Sequence, residues 1–234
     1  MKKYLFILLF LSSLPWSYAQ STADFYKAWD AFLQQHVNDG LVDYAAVAKN
    51  PQVLNEIVDH VKELNVSIDQ PADYQAFWIN AYNLLVIKSL VDAYPIASPL
   101  DKKGFFDQTK HQVGGKQITL NDIENKLLRA QFNDPRHHFV LVCGALGCPP
   151  LIDRAYTPSM LEKQLDQQTE LAINDEQFIR PGKKLMVSQI FEWYATDFEK
   201  EGGILAFINT YHQKGFPENT KIKFYPYNWK INQQ

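Results

Sequence analysis

Two of the six histidines and both cysteines of this chain fall in one stretch, His137-His138-Phe139-Val140-Leu141-Val142-Cys143-Gly144-Ala145-Leu146-Gly147-Cys148-Pro149-Pro150. A thiolate is a strong nucleophile and a neighbouring imidazole can take the thiol proton, so these residue types can carry nucleophilic catalysis. Two other states stay open for the cysteines, a disulfide and metal ligation. A lone C-x4-C with no second pair is a poor zinc pattern, even beside His137 and His138, so no metal and no other cofactor is expected.

Geometry limits what this stretch can do. His138 to Val142 is short, apolar and β-branched, which predicts an interior strand, with His137 its exposed neighbour. On one straight strand His138 and Cys143 point to opposite faces roughly 16 Å apart. They do not pair that way, whereas Cys148, beyond the turn, can fold back toward His138. Alternatively the two cysteines close the turn Gly144–Gly147 as a disulfide, whose short Cα separation the glycines accommodate. Pro149-Pro150 excludes both helix and ladder, and Tyr156 just past it is placed to cover a cleft.

The elements that must hold this stretch are mostly helices. Phe25, Trp29, Phe32, Leu33 and His36 recur at helical spacing after Ser21-Thr22, with Gly40 as the stop. Asn50 and Pro51 open a second amphipathic helix carrying Leu54, Ile57, Val58, Val61 and Leu64. From Asp73 to Ala93 no wide polar face remains, which predicts a buried helix. Asn80 and Asn83 lie on one side of it and need partners, because an unpaired buried amide costs roughly 1 to 3 kcal/mol. Two readings are open: they brace neighbouring backbone, or they face a cleft and hold a substrate or a histidine.

Gln112 to Gln117 reads as a hairpin turning at Gly114-Gly115. Thr119 or Asn121 starts a helix with Leu120, Ile123, Leu127 and Leu128 inward. Glu124 and Arg129 ride on it five positions apart, too far for ideal helical neighbours, as an ion-pair set with other partners or as catalytic groups. Thr157-Pro158 opens a helix to about Asn174, and Phe178-Ile179 with Leu185-Met186-Val187 forms a second hairpin. Ser188 caps a helix carrying Ile190, Phe191, Tyr194 and Phe198, Gly202-Gly203 precedes another, and Lys221 to Tyr227 closes the chain as a strand. Trp78, Trp193 and Trp229 read as core residues, and His36, His60, His111 and His212 as surface. The pattern is α+β, one domain of helices on a small, mostly antiparallel sheet.

Met1-Lys2-Lys3, an apolar Tyr4–Leu14 and Ser17-Tyr18-Ala19 have the form of a signal peptide cleaved near Ala19. The division expected is a signal at 1–19, an N-terminal helical layer at 20–69 and a core at 70–234 of the same domain. The apolar run is shorter than the roughly 20 residues of a membrane span, and no later segment is a candidate. With Lys2 and Lys3 removed the formal charge falls from −3 to about −5. No basic stripe is present, which argues against nucleic acid as a partner. The expected compartment is the periplasm or the exterior.

Phe77-Trp78-Ile79-Asn80-Ala81-Tyr82-Asn83, Ile123-Glu124 with Leu128-Arg129, His138-Phe139 with Cys143-Gly144 and Cys148-Pro149, and Tyr227-Asn228-Trp229 with Asn232 occur in this order. Together they resemble the bacterial members of the domain of unknown function 547 family. Gly147 stands where a serine is common there, and Asn228 where an aspartate is common. A more distant likeness is to papain-like and transglutaminase-like enzymes. It implies a cysteine attacking a carbonyl, His138 as base and Asn228 orienting the ring. In those enzymes the cysteine opens a buried helix, but here that helix has none and Asn80 stands there.

Two functions follow as expectations. One is a Cys-His hydrolase or acyl transferase on peptide or amide substrates of the cell envelope, with Cys148 or Cys143 as nucleophile and Asn80 or Asn83 contacting substrate. The other is a non-catalytic envelope binding module with Cys143 and Cys148 locked together.

Overall fold

A computed structural model describes residues 21–176 and 178–234; the signal-peptide expectation lies outside the described residues. Helix α1 (Thr22–His36) opens on a capping box, the Ser21 side chain accepting from the Asp24 amide while the Asp24 carboxylate accepts from the Ser21 amide. It ends at His36, and Gly40 serves instead as a turn residue between β1 (Val37–Asn38) and β2 (Leu41–Val42). Asp39 and Gly40 both take positive φ, as a tight two-residue hairpin requires.

Sequence periodicity misses the short helix α2 (Tyr44–Lys49), which Asp43 caps by accepting from the Ala46 amide. Asn50 closes this helix rather than opening the next, and α3 (Gln52–Val61) starts after Pro51 with no side-chain cap. The central element is α4 (Pro71–Ala93), buried on all sides through most of its length. Phe25, Trp29 and Leu54 from the N-terminal helices join Phe77, Leu84 and Leu90 of α4 in one core.

β3 (Lys110–Val113) and β4 (Lys116–Thr119) form the expected hairpin at Gly114-Gly115. Thr119 caps α5 (Leu120–Asp122), and the same rod runs on through a π-helical segment, Ile123–Arg129, into α6 (Ala130–Phe132). Helix α7 (Leu161–Asn174) begins a turn later than Thr157-Pro158 suggests, because Thr157 and Met160 first close a tight turn. β5 (Ile179–Arg180) pairs antiparallel with β6 (Leu185–Ser188). After α8 (Ile190–Trp193), a 3-10 segment at Ala195–Glu201 and α9 (Ile204–Tyr211), β7 (Ile222–Tyr225) joins β6 in parallel. The molecule is α+β, with small sheets among many helices. No helix among the described residues is long and apolar enough to cross a membrane.

The strand expected at His138–Val142 does not form. Pro135–Phe139 is a 3-10 turn capped by Asp134, and Val140 to Val142 continues as buried irregular chain. Buried backbone must find hydrogen bonds, and here α4 supplies what a neighbouring strand would. Asn83 donates to the Val140 carbonyl at 2.9 Å and accepts from the Val142 amide at 2.9 Å. Asn80 does the same for Tyr156, donating to its carbonyl at 2.7 Å and accepting from its amide at 2.9 Å. Each asparagine thus replaces one rung of a sheet, and the bracing reading of these residues holds.

Asn83→Ala strips partners from two buried backbone groups. Urea unfolding should show a loss of about 3 kcal/mol or more, with Asn80→Ala similar; a loss below 1 kcal/mol for both would mean the clamps contribute little.

Candidate functional site

In an α-helix residues five apart diverge around the axis. The Ala130 amide donates to the Asn125 carbonyl, an i to i+5 bond, and the wider π turn brings Glu124 and Arg129 to the same neighbour, Tyr194. The Tyr194 hydroxyl donates to Glu124 Oε1 at 2.6 Å, and the Arg129 guanidinium lies 4.6 Å from the Tyr194 ring centre. Arg129 donates from Nε and Nη2 to the two oxygens of Asp197, at 2.7 and 2.8 Å, and from Nη1 to Asn125. Arg129 is therefore part of an ion pair, as one reading has it, while Glu124 is held by phenols.

Asp197 also accepts from His138 Nε2 at 2.8 Å. The His138 hydrogen bond, reinforced by Arg129, holds its carboxyl well below the usual carboxylate range despite burial. Because Nε2 carries the proton given to Asp197, a neutral His138 has its lone pair on Nδ1. Nδ1 has no hydrogen-bond partner among the described residues. The ring stacks on Tyr194 at 3.9 Å between centres and is only 4 % exposed.

Asp197 escapes a reading of the sequence because it sits in a short 3-10 segment without strong periodicity. The available signal is its place three residues after Tyr194 and one before the buried Phe198. His137, expected at the surface, is fully buried and bonds Gln75 Oε1 at 3.0 Å. The 3-10 turn sends the two adjacent rings to different environments.

Cys143 and Cys148 are joined by a disulfide, with Cα atoms 6.3 Å apart. The turn they bound presses on α4: Gly144 has φ +81°, and a Cβ there would meet Leu90 at 2.3 Å. The Gly147 amide donates to the Asn228 carbonyl and the Leu146 amide to that of Lys230. A Cβ on Gly147 would come within 2.8 Å of the Tyr227 ring, so a serine there would require Tyr227 to move. The Tyr227 hydroxyl lies 3.0 Å from each sulfur, and the Cys143 amide donates to Cys148 Sγ at 2.9 Å.

His138, Glu124 and both cysteines line one cavity of about 230 Å³. Trp193, Tyr227 and Trp229 form its aromatic wall, with Phe106 6.3 Å from Trp229. Trp193 is 45 % exposed and stacks on Trp229, so these two indoles form the mouth of a cavity, while Trp78 alone of the three is core. Asn228 does not join His138. It is exposed, and its Oδ1 accepts from the Lys230 amide in a local turn. Asn80, Asn83 and Tyr156 lie in the core, all at most 2 % exposed, and none lines the cavity. His36, His60, His111 and His212 are also outside it. Among the described residues no group of three or more His, Cys, Asp or Glu is placed to hold a metal.

Fold and site define an α+β protein in which a buried histidine, paired with an aspartate, shares a small aromatic cavity with a disulfide. Residues 69–171 match the family described as protein of unknown function, DUF547. No curated protein and no solved structure matches the chain. Trp193, Tyr194, Asp197, Tyr227 and Trp229 all lie beyond the matched stretch, so the cavity is completed by the C-terminal part of the chain.

Burial pushes the His137 imidazole down to about 4. The folded protein then binds fewer protons than the unfolded chain between about pH 6.5 and 4. The contribution to stability is complete above 6.5 and is lost as pH falls through 4, up to about 3 kcal/mol. Thermal melts of His137→Gln should fall less steeply from pH 7 to 4.5 than those of the natural sequence; parallel curves would show that His137 does not drive the change.

Proposed function

We propose that the protein is a thiol hydrolase or acyl transferase on amide or ester groups, with Cys148 as nucleophile and His138 as base. The reading rests on one observation: His138, held by Asp197 through Nε2 and unbonded at Nδ1, lines the same cavity as the two sulfurs. Acid, imidazole and thiol in series are what activates a cysteine. Cys148 is favoured over Cys143 because its sulfur receives the Cys143 amide and the Tyr227 hydroxyl, two donors that stabilise a thiolate.

The disulfide is the resting form. An external dithiol reduces it, yielding two thiols and the oxidised dithiol. His138 Nδ1 then takes the Cys148 proton and the thiolate adds to the carbonyl carbon. The bond to the leaving amine or alcohol breaks, and His138 returns the proton to it. Water or an acceptor amine releases the acyl group from sulfur. An exported protein acting on envelope peptides fits the N-terminal leader pattern and a cysteine pair that an oxidising compartment keeps closed.

A second reading, a binding module with the pair permanently closed, is favoured by the absence of free cysteines among the described residues. Treatment with p-nitrophenyl acetate separates the two. Reduced protein should carry an acetyl group on Cys148 by mass spectrometry and oxidised protein none. Asp197→Asn should slow acylation by at least tenfold, and His138→Ala by more. If reduced protein is not acylated, or His138→Ala acylates at the natural rate, the enzyme reading falls and the binding module stands.

A further inference from the structure

We infer that the cavity recognises an organic cation, specifically an alkylammonium group. This takes the same cavity as its site, and what happens to the ligand there rests on the reading above; the recognition itself is argued from charge and shape alone.

The cavity carries one carboxylate with no cationic partner. Asp197 is neutralised by the two-pronged contact from Arg129, which leaves that guanidinium committed. Glu124 forms no ion pair among the described residues. It accepts from the Tyr194 hydroxyl, and the Tyr82 hydroxyl bonds it as well. No lysine or arginine lines the cavity. Its lining therefore combines one carboxylate with aromatic rings.

The aromatic side is lined by Trp193, Tyr227, Trp229 and Phe106, with Trp193 and Trp229 stacked on one another. Tyr194 contributes no open face, since His138 stacks on it and Arg129 lies over it. Trp193, Tyr227 and Trp229 touch one another with ring centres 4.7 to 5.9 Å apart, and Phe106 extends the wall. Aromatic faces attract cations through their negative quadrupole, tryptophan most strongly. Three such rings in one cavity with a half-buried carboxylate suit a charged, weakly hydrated group. A neutral apolar guest would leave Glu124 without a counter-charge, and an anion would meet Glu124 directly. A volume of about 230 Å³ admits a trimethylammonium head with a short stem.

The test uses the oxidised full chain, in which no thiol chemistry can occur, and two probes of the same shape. Choline and its neutral carbon isostere 3,3-dimethyl-1-butanol are titrated by calorimetry. Choline should bind at least tenfold tighter. Glu124→Gln should weaken choline by at least fivefold while leaving the isostere unchanged, and Trp193→Ala should weaken choline with the circular dichroism spectrum unaltered. The probe comparison on the natural sequence stands even if a variant fails to fold. No detectable choline binding, equal affinity for the two probes, or tighter binding of N-acetylglucosamine than of choline would each overturn the proposal. Choline binding without acylation of reduced protein removes the thiol mechanism alone, and acylation without choline selectivity removes the ligand class alone.

Discussion

The structure depends on two asparagine side chains standing in for strands. Val140 to Val142 and Tyr156 run through the interior with no sheet beside them, and α4 satisfies their backbone groups through Asn83 and Asn80. A primary amide offers a donor and an acceptor side by side, the spacing a peptide group offers in a ladder. Buried in an apolar helix, such an amide is costly unless both ends are used. That condition fixes the register of the irregular chain against α4. His138 lies two residues before the first clamped carbonyl and Cys143 one residue after the clamped amide, so the Asn83 clamp sets where both enter the cavity.

The same segment joins two cores. Phe139 belongs to the cluster of Phe178, Phe191, Phe198 and Phe207, whereas Val140 and Val142 belong to the cluster around α4. His138 stands at the passage from one to the other. Its partner Asp197 and the stacked Tyr194 come from the second core, while Glu124 and Arg129 come from the rod beside the first. The site therefore exists only when both cores are formed and seated together. The stretch matching the family holds His138, Glu124, Arg129 and both cysteines, whereas Tyr194 and Asp197 lie beyond it.

Much of the helix content is legible in the sequence, because the burial period shows at α1, α3 and α4, a capping box opens α1, and Gly-Gly announces the hairpin at 114–115. The misreadings share a physical origin. An apolar β-branched run is the signature of buried chain, and a sheet is only the commonest way to bury chain; a side-chain clamp 57 residues away is another. Glu124 and Arg129 look mismatched because a spacing of five is judged against 3.6 residues per turn, and the π segment changes that period locally. Asn228 looks like the partner of His138 by resemblance, yet its amide is occupied in a turn and Asp197 takes that place. Which distant acid meets a histidine is a property of how two cores seat, and no local pattern carries it.

The carboxylate that lines the cavity, Glu124, and the one behind His138, Asp197, differ in kind because their partners differ. Asp197 meets a guanidinium and an imidazole, so its charge is cancelled and its geometry fixed. Such an acid orients a ring and sets its tautomer but offers nothing further to a ligand. Glu124 meets phenols, which direct it without cancelling its charge. With Tyr194 touching both carboxylates' networks, through its hydroxyl on one side and its ring on the other, displacement of either acid would disturb the other's partner. One tyrosine thus couples the group that orients His138 to the group that gives the cavity its sign, and a ligand drawn to Glu124 is brought to the wall that His138 occupies.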